Sequence, residues 1–480
     1  MSLAGRSTRG ALALSLSTAA NIGIGFLGGI WLARLLAPND FGTFAVATAL
    51  SAFVNLRSIL QLEQQFLRDA DAGPAHLDTF FTLSLGLAGL SAAVLWVAAA
   101  VVAGLGRNDL AGCLLLFSGV GLLDPLTAAL RLSLEKTISF GGIAAAQTVG
   151  GLVQFGATLL GALAGWGLGS LLAGLAASTL VNLAWYWRFA PRRPAVRLEG
   201  ARMRAFLTYG IKYGLVYAVS AITLTQADNL LVGALSGTAA LGYYDRAYRT
   251  SSWPTVLIAA ALGRISLPTY AKLQDDPARL SRAVGLVLWL VLTLTTPLAL
   301  YILLTAPDLV SVLYTDKWLA AVPILQVLAA FAILRPLWDD LISILLATGR
   351  PGQMARLVFY QAAGLVLLAV PLTWFYGALG TAVAVGGAFS ISAGFLLIFA
   401  RRHLRVNLWD TAGWPLVCNL LALGAFVSVR PYLPLEALPG LGRLAALAGL
   451  WFGLYGAASL TLRGRFILVQ LRYLVRAARA

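Results

Sequence analysis

The chain has 480 residues, 59% of them apolar and only 11% charged, with a mean hydropathy of +0.83. Soluble domains carry about 45–50% apolar and about 25% charged residues, so this composition excludes a string of soluble domains and points to a polytopic membrane protein. The net charge of +16 would suggest nucleic acid in a soluble protein. In a membrane protein it follows from arginine and lysine collecting in cytoplasmic loops, and no nucleic-acid partner is expected.

A helix needs about 20 apolar residues to cross the hydrocarbon. Runs of that length predict an all-α membrane protein with about fourteen spans, over 11–36, 41–61, 79–104, 110–132, 141–164, 168–189, 207–235, 240–268, 282–305, 318–347, 354–375, 378–400, 412–430 and 440–462. The first run is too long for the apolar region of a signal peptide and holds Asn21 and four glycines, so a span is expected there and not a cleaved leader. With the N-terminus inside, 24 basic residues fall on the cytoplasmic side. Only Arg34, Arg107, Lys317, Arg430 and Arg443 fall outside. Both termini are therefore expected in the cytoplasm.

The long basic stretch RFAPRRPAVRLEGARMR, 188–204, divides the chain. The expected organisation is a first six-span half over 1–190, a basic cytoplasmic linker over 191–206 and a second six-span half over 207–405. A final pair of spans follows over 406–462, then a basic tail over 463–480. In the tail, Arg465, Arg472, Arg476 and Arg479 are spaced to share one helical face, which reads as an amphipathic helix on the anionic leaflet. The halves look like a repeat. LLAPNDFGTF, 35–44, resembles LSGTAALGYY, 235–244, with Phe41–Gly42 matching Leu241–Gly242 at an offset of 200. LLDPL, 122–126, resembles ILRPL, 333–337, and Gly169 in GWGLGS matches Gly380 in FYGALGT, both at an offset of 211. Six spans per half insert the copies in the same direction, and parallel repeats of this kind are transporter architecture with a site between them.

Charges inside spans are costly, so they mark cavities or partners. The basic ones are Arg57, Lys212, Arg246, Arg249, Arg264 and Arg335, and Arg34 ends the first span. Arg335 and Asp124 both precede the repeated Pro-Leu, so one half presents a base where the other presents an acid. Arg335 could instead pair with Asp339 at i+4. Asp228 and Arg249 could pair across the hairpin of spans seven and eight, or Arg249 with Asp245. Asp124 and Asp228 are the acids available for coupling to a proton or sodium ion. Glu63 and Lys212 lie near span ends, where they can snorkel. Tyr243, Tyr244 and Tyr248 read as an interfacial aromatic belt, and Gly25/Gly29 as a helix-packing spacing.

Catalytic constellations are missing. Cys113 and Cys418 lie in apolar runs, His76 and His403 stand alone in loops, and no phosphate-cradling glycine loop is present. No enzyme activity, cofactor or metal is expected.

The stretch QADNLLVGALSGTAALGYYDRAYR, followed by LPTYAKLQDDPARL, resembles the second-half signature of Wzx-type polysaccharide flippases. LLAPNDFGTFAVA is similar to that family's opening hairpin. The superfamily also holds the MATE exporters and the MurJ lipid II flippases. The resemblance implies two pseudo-symmetric six-helix lobes around a central cavity, with a final helix pair, in the bacterial inner membrane. It implies a polyprenyl-diphosphate-linked oligosaccharide substrate moved to the outer leaflet by alternating access, membrane lipids as surroundings and a polysaccharide polymerase as a downstream partner. An excess of intramembrane arginine suits a diphosphate. A lipid II flippase and a MATE-like exporter of small molecules share the fold, though a cation exporter would want net acid. A membrane polymerase or ligase would want a large outer loop, and the longest here, about 306–317, has no histidine or arginine.

Overall fold

The computed structural model describes residues 3–69, 73–137, 140–404, 406–407 and 409–479. Side chains are described from 17 to 466, apart from 213, 254, 257, 259–265, 401 and 436. The side chains of the tail arginines Arg472, Arg476 and Arg479, and that of Arg264, thus lie outside the described part.

All regular structure among the described residues is helical. Two compact units form. One holds the residues up to Asp245 with Thr373–Ala378; the other holds Arg246–Leu372 and the residues from Leu379 onward. The first contains α1 (Leu3–Leu35), α2 (Pro38–Val54), α3 (Leu56–Ile59), α4 (Leu62–Arg68), α5 (Pro74–Gly104), α6 (Asn108–Lys136), α7 (Phe140–Leu163), α8 (Leu168–Phe189), α9 (Gly200–Tyr209), α10 (Leu215–Leu235) and the start of α11 (Thr238–Leu273). The second contains the rest of α11, then α12 (Pro277–Tyr314), α13 (Val322–Phe331), α14 (Leu334–Ala347), most of α15 (Pro351–His403), α16 (Trp414–Val429) and α17 (Gly440–Arg479). Proline opens α2, α5, α12 and α15, where its missing N–H has no helical partner to lose.

Eleven helical stretches among the described residues are long and apolar enough to cross a membrane, fewer than the sequence pattern suggests. The difference has three sources. α2 has only 17 residues. α11 carries Asp245, Arg246, Arg249 and Arg264 along its length. α15 runs for 53 residues but is broken at Gly377, whose φ of 59° only glycine adopts without strain.

Prolines inside α12 are repaired from neighbouring helices. Pro297 has no N–H for the carbonyl of Thr293, and the Tyr455 hydroxyl of α17 donates to that carbonyl at 3.0 Å. Trp451, fully buried, donates its indole N–H to the Pro297 carbonyl at 2.8 Å. Pro307 likewise frees the Leu303 carbonyl, to which the Gln326 amide donates at 3.4 Å. In hydrocarbon such carbonyls find no water, so these donors hold α17 and α13 on α12.

The basic segment before α9 is strapped to α5. Asp78, buried, accepts from Arg192 and from the Ala195 N–H, each at 2.9 Å. The Thr82 hydroxyl donates to the Arg197 carbonyl and accepts from the Arg197 N–H, both at 2.9 Å. In α1 a Cβ at Gly25 would meet nothing within 4 Å among the described residues, and one at Gly28 would lie 2.6 Å from the Phe155 ring.

Candidate functional site: charged clusters within the spans

In the first unit the second span is broken where its charges lie. α2 ends at Val54, Asn55 follows as its cap, and the chain resumes as the four-residue α3. Ser91 of α5 closes the break: its hydroxyl donates to the Val54 carbonyl at 2.7 Å and accepts from the Leu56 N–H at 3.3 Å. Asn55 caps α3 by accepting from the Ser58 N–H at 3.1 Å. Gln61, with φ 52°, then turns the chain into α4. Broken helices of this kind sit where protein or a cavity satisfies the backbone.

This break brings together residues far apart in sequence. Buried Arg57 donates to both Glu63 and Asp124. Arg131 donates to Glu63 and Glu135. Two arginines thus face three carboxylates, and Arg57 is fully compensated rather than a free basic charge. Glu63 does not snorkel; it bridges the two arginines.

Asp228 accepts from the Tyr244 hydroxyl at 2.8 Å and from the Asn229 N–H at 2.8 Å, and is buried. No cation pairs with it among the described residues. Tyr244 is fully buried, so it belongs to the interior and not to an interfacial belt.

In the second unit Arg335 donates to the Tyr248 hydroxyl of α11 at 3.0 Å. No carboxylate lies within ion-pair distance of it among the described residues; the expected i+4 pair with Asp339 is not formed. Half-buried Arg335 thus has a neutral hydroxyl as its hydrogen-bond partner. The adjacent Asp340 is buried and accepts from Tyr270 at 2.9 Å. The sequence signal for Asp340 was available: it shares the i+4 face of Ile344, in the cluster with Leu341, Leu345 and Val284.

The remaining candidates are scattered. Arg34 and Lys212 are exposed on the first unit, and on α11 Arg246 is buried while Arg249 is exposed. The histidines are not in loops: His76 lies in the first turn of α5, 3.0 Å from Asp69, and His403 ends α15. Cys113 and Cys418 are buried and free.

A family model described as "Polysaccharide biosynthesis protein" matches residues 31–323. The chain belongs to that family. Among curated relatives it is 27% identical over 307 residues to the teichuronic acid biosynthesis protein TuaB of Bacillus subtilis, which covers 62% of this chain and 61% of TuaB. It is 23% identical over 402 residues to the lipopolysaccharide biosynthesis protein WzxC of Escherichia coli, covering 83% and 79%. It is 20% identical over 465 residues to the probable low-salt glycan biosynthesis flippase Agl15 of Haloferax volcanii, covering 95% of each. Among solved structures, the inward closed conformation of the lipid II flippase MurJ superposes with a TM-score of 0.76 at 14% identity, over 95% of this chain and all of MurJ. An inward-facing MATE transporter gives 0.54 at 16%, over 80% and 94%. The fold of this multi-pass membrane protein is that of MurJ and the MATE transporters, as the sequence resemblance implied.

Proposed function

We propose that the chain is a flippase for polyprenyl-diphosphate-linked oligosaccharide. It carries this lipid from the cytoplasmic to the outer leaflet of the bacterial inner membrane, by alternating access, to supply polysaccharide biosynthesis. The family membership, the similarity to the lipopolysaccharide biosynthesis protein WzxC and that to the probable glycan biosynthesis flippase Agl15 support the substrate class. The repeat offsets support fourteen spans in two six-helix lobes plus a final pair, and the distribution of arginine supports cytoplasmic termini.

The observation that carries the reading is Arg335. An intramembrane guanidinium with no carboxylate within ion-pair distance among the described residues has planar donors to offer a phosphate or acidic sugar. Arg57, by contrast, is neutralised by two carboxylates. Of the coupling candidates, Asp124 is committed to Arg57, which leaves Asp228 as the acid that can take up and release a cation.

Arg335→Ala should abolish surface polysaccharide while membrane abundance stays near that of the parent, and Arg335→Lys should restore it in part. The deciding quantity is export per folded molecule in Arg335→Ala and in Arg335→Ala, Asp339→Ala. Normal export by the double variant would overturn the role of Arg335 at the substrate.

A further inference from the structure

The two arms of α15, on either side of Gly377, start and finish at the same end of the second unit, at Pro351 and His403. Between them lies a cavity of about 280 Å³ lined by Arg356, Tyr360, Phe395, Ile398 and Arg402. Its chemistry is split. Arg356 and Arg402 sit at the helix ends, and Tyr360, Phe395 and Ile398 lie further along the arms. Tyr360 is 60% and Ile398 52% exposed.

The arginines here differ from those the fold neutralises. Arg57, Arg131, Arg192 and Arg279 each pair with a carboxylate. Arg356 donates only its Nε, to the Gly352 carbonyl at 3.3 Å, and Arg402 has no hydrogen-bond or ion-pair partner among the described residues. A third, Arg350, lies over the Phe399 ring at 5.4 Å, against which His403 stacks at 4.7 Å. Phe399 and His403 also border a neighbouring cavity of about 310 Å³, which holds Arg350 and one acid, Asp275. Among the described residues no acid lines the groove between the arms.

We propose that this groove binds an anionic phospholipid of the inner leaflet. The headgroup phosphate lies on Arg356 and Arg402, and an acyl chain lies along Tyr360, Phe395 and Ile398. Uncompensated arginine above an exposed apolar wall is complementary to both parts of such a lipid, and basic pockets between spans on the cytoplasmic side are sites for anionic headgroups. The proposal rests on the orientation given under Proposed function, but not on Arg335 or on the substrate.

The test uses the full-length chain in detergent, titrated with phosphatidylglycerol or phosphatidylcholine and followed by native mass spectrometry. Phosphatidylglycerol should bind in preference. Arg356→Ala and Arg402→Ala should each weaken it by about fivefold and together by about thirtyfold, at about one ionic contact each. Phosphatidylcholine binding should stay unchanged. Arg356→Lys, Arg402→Lys should retain most of the preference, which separates lost charge from lost fold. Undiminished phosphatidylglycerol binding by the double alanine variant would overturn the proposal. So would equal binding of the two phospholipids, or binding of a polyprenyl diphosphate with none of phosphatidylglycerol. Because the readout is lipid retention, it fails independently of export by Arg335→Ala.

Discussion

The repeated glycines make a contact whose strength can be worked out. Gly42 of α2 and Gly242 of α11 face each other. A Cβ at Gly42 would lie 1.7 Å from the Thr238 carbonyl oxygen, and one at Gly242 would lie 1.9 Å from that of Pro38. Both obstacles are backbone, which cannot swing aside. Carbon and carbonyl oxygen approach to about 3.3 Å, so Gly42→Ala must push the helix ends apart by about 1.6 Å. Overpacking of this kind costs about 1–3 kcal/mol, a shift of about 5- to 150-fold in the balance between closed and parted contact. Leu241, fully buried, reports the opening. In a background lacking Cys113 and Cys418, Leu241→Cys should react with a maleimide about 5- to 150-fold faster once Gly42→Ala is added. Gly242→Ala should act similarly. A single displacement relieves both clashes, so the double variant should fall well short of the product of the two effects. Labelling of Gly42→Ala at the parent rate would refute the reasoning, and so would a fully multiplicative double variant.

Two further outcomes follow from the polar contacts. Asp78→Ala removes two of the bonds that hold the basic strap on α5 and leaves those of Thr82, at a cost of about 2–4 kcal/mol; trypsin should then cut between 192 and 198 at least about tenfold faster, and an unchanged cleavage rate would count against the strap. Tyr455→Phe leaves the Thr293 carbonyl without its hydroxyl donor in a proline-kinked helix, at about 1–3 kcal/mol, so the thermal midpoint should fall; an unshifted midpoint would show that the repair contributes nothing.

The all-helical membrane fold and the pairing of Gly42 with Gly242 were legible because they rest on local composition and on a fixed offset. The fate of individual charges was not. Arg335 has an acid at i+4, yet its side chain reaches Tyr248, 87 residues away. Arg57 finds Asp124 67 residues on, through a helix break that Asn55 and Gln61 signal only faintly. The tyrosines of YYDRAY look interfacial by composition, but Tyr244 and Tyr248 serve as internal hydrogen-bond donors and acceptors to Asp228 and Arg335. In each case the local rule was outweighed by a tertiary partner that one sequence does not reveal.

What distinguishes the charges is therefore compensation rather than position. A charge removed from water must be paired or must face water or a ligand. Arg57 and Arg131 meet carboxylates, and Arg192 ties down the strap. These are accounted for by the fold alone. Arg335 is bonded only to a neutral hydroxyl, and Arg356 and Arg402 have no acid beside them in a groove walled by exposed apolar side chains. Their positive charge is left for something outside the chain, and in a bilayer the abundant anion that reaches both a span and a lipid-facing groove is a phosphate. If the phosphate at Arg335 is that of the transported lipid and the one at Arg356 and Arg402 that of a resident lipid, as proposed above, loss of the first should stop export and loss of the second should change only the lipid that copurifies.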